Sequence, residues 1–185
     1  MQNDTKKKPR GRPRVFDEAR ARRAILDSFW ERGYASVSLD DLSQATGMGR
    51  PSLYAAFGNK EQMYLAALDQ FRQLLGQGLR RLFSDRDLLG FYQGALDLYQ
   101  TRGCFIVCTA TVEATSSPAI AAAVTQTLDQ LDQALTDYFR LQDPERDAAA
   151  RARQAAAWLH SLAIRARAGQ SRQELLEIAR QASQS

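Results

Sequence analysis

Apolar residues recur along most of this chain at intervals of three and four, the spacing that gathers them on one face of an α-helix. Between positions 17 and 34, Ala21, Ala24, Ile25, Leu26, Phe29 and Trp30 follow that spacing, with Arg20, Arg22, Arg23, Asp27 and Glu31 interleaved. This predicts an amphipathic helix capped by Asp17 and stopped by Gly33. From Asn59 the pattern continues through Met63, Leu65, Ala67, Leu68, Phe71, Leu74, Leu75, Leu79 and Phe83. Further helices are predicted over about 88–100, 103–115, 118–140, 144–167 and 171–183, with breaks at 84–87, 101–103, 116–118, 143–144 and 169–171. No two-residue alternation survives, so an all-α fold is expected, without internal repeats.

The most constrained stretch is 38–60, SLDDLSQATGMGRPSLYAAFGNK. Ser38 stands three residues before Asp41 and just ahead of Leu39 and Leu42, a capping-box arrangement that starts a helix near Leu39. Gly47 and Gly49 end it, and Pro51 fits only the first turn of the next helix, so a second helix begins near Arg50 and stops at Gly58. Asn59, with Gln62 three residues on, caps the long helix beyond. Two short helices about a glycine turn make a helix-turn-helix, whose second helix lies in the DNA major groove. Leu42, Ala45, Met48, Leu53 and Phe57 are expected to hold the pair together, leaving Arg50, Pro51, Ser52, Ala55 and Ala56 outward.

Across Gly47–Glu61 the run of glycine, large apolar residue, small or polar residues, Leu53-Tyr54, Phe57, Asn59, Lys60 and Glu61 resembles the DNA-binding pattern of the TetR (tetracycline-repressor) family of bacterial regulators. The likeness is strong over 16–68 and general beyond. It implies a three-helix head at 16–60 and a helical ligand-binding and dimerisation body at 61–185. It also implies a homodimeric repressor of a palindromic operator in double-stranded DNA, released by a small-molecule effector. Tyr54 and Lys60 align with the family's phosphate contacts, and Ser38 and Ser52 with its hydroxyl contacts to the DNA backbone. Arg50 is the candidate for a base contact, since a guanidinium matches guanine O6 and N7, with a phosphate contact as the alternative. Ala55 and Ala56 depart from the bulky residues more common there. By the same resemblance the last two helices pair with their copies in a four-helix bundle. Trp158, Leu159, Leu162, Leu175, Leu176 and Ile178 supply the stripe, for which packing within one chain is the alternative.

Composition adds location. At 185 residues, 44% apolar and 25% charged, the chain is an ordinary globular protein with room for one large or two small domains. Residues 1–14 carry six basic groups against Asp4, a local +5 that exceeds the net +4 of the whole chain. The segment 1–15 is therefore read as a disordered basic arm. Within it PRGRPR looks like an AT-hook core, placing Arg10, Arg12 and Arg14 in the narrow minor groove of A·T-rich DNA. No apolar run approaches the ~18 residues of a membrane helix, and no secretory signal is read, so a cytoplasmic protein without membrane contact is expected.

Cys104 and Cys108 lie four apart in GCFIVC, and three readings stand: small core residues, a redox or electrophile sensor, or half a metal site. The single histidine, His160, has no partner at ligand spacing, so neither metal nor cofactor is expected. No nucleophile, base or phosphate-loop arrangement assembles, and the chain is not read as an enzyme. The effector pocket is expected among 60–83, 88–115 and 118–140, lined by Phe91, Tyr92, Leu96, Tyr99, Cys104, Cys108 and Val112, with ordinary core as the alternative. Two rival functions remain: an architectural DNA-binding protein without an effector, and a thiol-based redox or electrophile-sensing repressor. Deleting residues 1–14 is expected to weaken DNA binding most on A·T-rich flanks while leaving the melting temperature unchanged. Equal loss on G·C-rich flanks, by gel shift, would reduce the arm to plain charge attraction.

Overall fold

The computed structural model describes residues 17–184, and every regular element among them is helical. In order these are α1 (Glu18–Ser36), α2 (Leu39–Thr46), α3 (Arg50–Phe57), α4 (Lys60–Asp85) and α5 (Leu88–Tyr99). A π-helical segment, Ile106–Ala110, then runs directly into α6 (Thr111–Ala114), which precedes α7 (Pro118–Gln142), α8 (Ala148–Arg167) and α9 (Arg172–Ser183). The all-α class read from periodicity is observed. The arm, with Arg10, Arg12 and Arg14, lies outside the described residues.

Most boundaries are set by local capping chemistry. Asp17 accepts from Arg20 N at 3.0 Å, and Ser38–Asp41, Asn59–Gln62 and Ser171–Glu174 each form a reciprocal capping box. Gly33 leaves the helical path at φ +76°, as expected of a stop, and only a short turn, 34–36, comes after it. Two expectations shift. The helix expected over 144–167 starts at Ala148, because Asp147 accepts from Ala150 N at 3.0 Å, while Asp143 and Pro144 form the preceding turn. The stretch 103–115 is not one α-helix, since the Thr111 N–H reaches back five residues to the Ile106 carbonyl.

The core is continuous across residues 60 and 61. Trp30 of α1 meets Phe71 of α4 edge-on at 5.1 Å, and Tyr64 of α4 meets Phe29 at 5.0 Å and Phe105 at 5.4 Å. The same apolar cluster includes Leu42 and Leu53 at one end and Leu131 and Leu159 at the other. Trp30 is fully buried, and its indole N–H donates to the Gly103 carbonyl at 2.8 Å. The Arg102 guanidinium lies 4.1 Å from the centre of the Trp30 ring and pairs with Asp27 at 2.7 Å. Arg167, at the end of α8, donates to the carbonyls of Arg102 (2.8 Å), Glu31 (3.4 Å) and Trp30 (3.5 Å). A second contact joins α6 to the α1–α2 corner, where Glu113 accepts from Ala35 N at 3.3 Å.

Gly103 can only be glycine. It sits at φ +70°, and an added Cβ would lie 2.6 Å from the Ala163 carbonyl oxygen and 2.6 Å from the Cys108 sulfur. Gly103→Ala is expected to cost at least about 2 kcal/mol, read as a lower denaturant midpoint at unchanged m-value.

Candidate nucleic-acid interface and body cavity

The turn between α2 and α3 is stitched by side chains. Gly47 closes α2 at φ +70°, where a left-handed backbone is needed. The Thr46 hydroxyl donates to the Leu42 carbonyl at 2.7 Å and accepts from Met48 N at 3.3 Å, while Ser43 donates to the Met48 carbonyl. Leu42, Leu53 and Phe57 are buried beneath the pair, and Met48 is half-buried. Ala45, expected in this core, is exposed instead: it lines an open groove with Gly47, Gly49, Ser52, Ala55 and Ala56. Arg50, Pro51, Ser52, Ala55 and Ala56 all face outward, as the pattern predicts, and Tyr54 is 47% exposed.

Ser38 caps α2 as its place three residues before Asp41 predicts. Its hydroxyl donates to Asp41 at 2.5 Å and accepts from Asp41 N at 3.1 Å, and the residue remains exposed. With the Ser38 hydroxyl and N–H, and Arg32, all donating to it, the Asp41 carboxyl is held down at about 2. Lys60 lies partly covered at the start of α4, its ammonium 4.3 Å from the Tyr34 ring centre. Burial lowers its pKa, while Glu113 and Asp41 favour its charged form. Arg50 is not solitary. Asp40 of α2 accepts from its Nε at 2.7 Å and from Nη2, which holds the Asp40 carboxyl below its ordinary range. Sequence reasoning missed Asp40, because a pair ten residues apart across a turn obeys no helical spacing rule.

The body contains a cavity of about 370 Å³ between α4 and α5. Of the residues expected to line it, Phe91 and Tyr99 do. Cys104 borders a neighbouring void of about 10 Å³ that shares Tyr99 and also touches His160. The others lie outside this cavity. Tyr92 is buried with its hydroxyl donating to the Ala155 carbonyl of α8 at 3.3 Å, and Leu96 is buried outside the cavity. Cys108 points its sulfur towards the Ala163 carbonyl at 3.7 Å, and Val112 is 67% exposed. The far wall, Leu74, Leu75, Gly78 and Arg81 of α4, was not singled out, although its periodicity was visible. Two wall residues explain why the space exists. Gly78 and Gly94 sit inside helices where glycine costs about 1 kcal/mol relative to alanine, yet neither needs an unusual backbone. A Cβ on Gly94 would meet nothing within 4 Å.

The proposed dimer stripe divides. Leu159, Leu162 and Leu175 are buried within their own chain, because the α8 face that carries Ala152, Ala155, Leu159, Leu162 and Ala166 packs inward. They are therefore core. Trp158, Leu176 and Ile178 remain partly exposed, and Ile164, overlooked in the sequence, is 54% exposed. No helix among the described residues is long and apolar enough to cross a membrane.

Comparison with known proteins agrees with this geometry. Residues 22–67 match the family model described as bacterial regulatory proteins, tetR family. The transcriptional repressor ComR of Escherichia coli is 49% identical over 65 residues, 35% of this chain and 31% of ComR. That match thus spans about a third of the curated relative's length. Over nearly the whole chain, a cysteine mutant of the TetR family regulator CifR, complexed with 26-bp double-strand operator DNA, superposes with a TM-score of 0.85 at 26% identity. It covers 94% of this chain and 99% of that one. A putative TetR transcriptional regulator from Rhodococcus sp. RHA1 is 30% identical, covering 91% and 97% of the two chains, with a TM-score of 0.57. With a glycine-turned helix pair presenting α3 outward and a helical body behind it, this chain belongs to the TetR family of DNA-binding transcriptional regulators.

Proposed function

We propose that the protein is a homodimeric repressor that places α3 of each copy in a major groove of a palindromic operator and lets go when a small molecule enters the cavity between α4 and α5. One helix of about two turns reads too few base pairs to find a site in a genome, so two copies are required, and their two-fold symmetry implies the palindrome. The operator-bound state of CifR and the repressor role of ComR support the reading. In it, residues 1–15 are a minor-groove arm, 16–60 the DNA-binding head and 61–185 the body. Trp158, Ile164, Leu176 and Ile178 are the apolar groups available for pairing α8 and α9 between copies.

The single observation that carries effector control is the cavity kept open by mid-helix glycines. Its volume falls in the range of small-molecule sites, and a wall of Phe71, Leu75, Phe91 and Tyr99 suits an apolar or aromatic compound, with Arg81, Asp85 and Asp87 polar among the lining residues. Two elements lead from it to the head. α4 runs from the cavity back to Lys60, and α5 ends at Tyr99, four residues before the Gly103 carbonyl that holds Trp30. A ligand that prefers a different α4–α5 spacing therefore biases the separation of two recognition helices, which must sit about 34–36 Å apart on DNA. The typical coupling of 1–3 kcal/mol would weaken operator binding about 5- to 150-fold.

A thiol switch is less well supported. Burial pushes the Cys104 thiol up to about 11, and burial also raises Cys108, so neither is a ready thiolate near neutral pH. Both are expected to resist alkylation in the native protein, with Cys108 the first to react because it is only half-buried. Rapid labelling of Cys104, measured by mass spectrometry, would reinstate thiol sensing.

Lys60→Ala is expected to weaken operator and random DNA alike and to reduce the salt slope by about one, whereas Arg50→Ala relaxes preference at one base pair. An unchanged slope would remove Lys60 from the phosphate contacts. Compounds found by thermal shift and able to release operator are expected to lose both effects on Gly94→Leu, a variant that keeps operator affinity. If no compound releases wild-type protein from DNA, the architectural reading replaces this one.

A further inference from the structure

Asp40 has no structural duty that its sequence context would assign. It sits in the first turn of α2 but does not cap it, since Asp41 takes the capping box with Ser38. Nor is it covered by neighbours, with 70% of its side chain exposed. An acid in the first turn does favour the helix dipole, and that is the bland explanation for it. The geometry goes further. Asp40 reaches across the glycine turn to the first residue of α3 and takes Arg50 in two-point fashion, Oδ1 accepting from Nε at 2.7 Å and Oδ2 from Nη2.

A guanidinium has five N–H groups in a flat fork. The two engaged by Asp40 lie along its Nε–Nη2 side, so both Nη1 protons and the second Nη2 proton remain free. One of the Nη1 protons and that Nη2 proton are parallel donors on the end of the fork, the pattern that guanine N7 and O6 accept in the major groove. Arg50 alone is a long side chain, 56% exposed, with rotamers that reach phosphates as readily as bases. Clamped by Asp40, it offers one edge in one plane.

We propose that Asp40 is a positioning residue for base readout: its carboxylate holds the Arg50 guanidinium with the free edge outward, and so fixes operator specificity at one G·C pair. The proposal rests on α3 being the recognition helix. It makes two demands of opposite sign. Asp40 places a negative charge beside the phosphates, so it opposes non-specific DNA binding. It also narrows the conformations of Arg50, so it favours the one base pair that accepts the clamped edge.

The test measures binding of the full-length protein to the operator, to a panel of operators with each base pair substituted singly, and to random duplex across a salt series. For Asp40→Ala and Asp40→Asn, discrimination at the base pair read by Arg50 is expected to fall about tenfold, the worth of a good bidentate contact. Random-duplex binding should stay level or strengthen, and Asp40→Glu should restore part of the discrimination. Arg50→Ala removes discrimination at the same base pair, and adding Asp40→Ala to it should change nothing there. Melting curves serve as the control, since a purely helix-stabilising Asp40 would shift them without touching base preference. Unchanged discrimination in Asp40→Ala, or loss confined to base pairs that Arg50→Ala does not affect, would overturn the proposal. So would tighter operator binding with discrimination intact, which would make Asp40 a competitor for Arg50. A wild type that shows no base preference at any position sinks the recognition-helix reading first, and this proposal with it.

Discussion

The structure depends on one tryptophan. Trp30 belongs by sequence to the helix that braces the DNA-binding pair, but its indole is inserted into the body, against Phe71, with its N–H on the Gly103 carbonyl. A buried indole N–H without an acceptor is costly, and an aromatic side chain this size commits a large apolar surface to whatever surrounds it. Head and body therefore cannot move apart as beads on a linker. They can only change their relative orientation by repacking this contact, which Arg102 covers from one side and Arg167 ties to α8.

That constraint gives physical content to control at a distance. A switch needs an element with two arrangements that both sites bias, and a packed interface offers discrete alternatives where a flexible linker offers a continuum. α4 provides one rigid route between cavity and DNA, and the segment from Tyr99 through Gly103 to Trp30 provides a second. The two routes converge on α1 and α4, which pack against each other, and α1 in turn packs on α2, the helix against which α3 rests.

How much of this was legible in the sequence depends on the range of each interaction. Caps are local, so Asp17, Ser38 and Asn59, with the glycine stops at 33, 47 and 58, were readable and set most boundaries of the first four helices within a residue or two. The outward face of α3 was readable because its few buried positions, Leu53 and Phe57, are four apart. Partner choice was not. An apolar stripe on α8 is the same pattern whether it faces α7 or another copy, and here Leu159 and Leu162 turn inward. The cavity was half-visible for a related reason: periodicity marks apolar residues as buried, whereas a cavity is made by what is missing, here the side chains of Gly78 and Gly94. Asp40 was invisible because its role exists only once the glycine turn folds α2 against α3.

The π-helical segment at Ile106–Ala110 also fixes the phase of the helix beyond it. It amounts to one extra residue accommodated within a continuous helical path, and each residue of an α-helix turns the chain by about 100°. Removing a single residue there would let the segment close into a regular helix but rotate α6 by about that angle. Glu113 would then swing away from the Ala35 amide and from the Lys60 ammonium. The body would keep its fold and its cavity, and the head would lose one of its polar anchors. A one-residue deletion in this short stretch would therefore do what no point substitution can: leave α6 unaltered in sequence and change which of its residues face the DNA-binding helices.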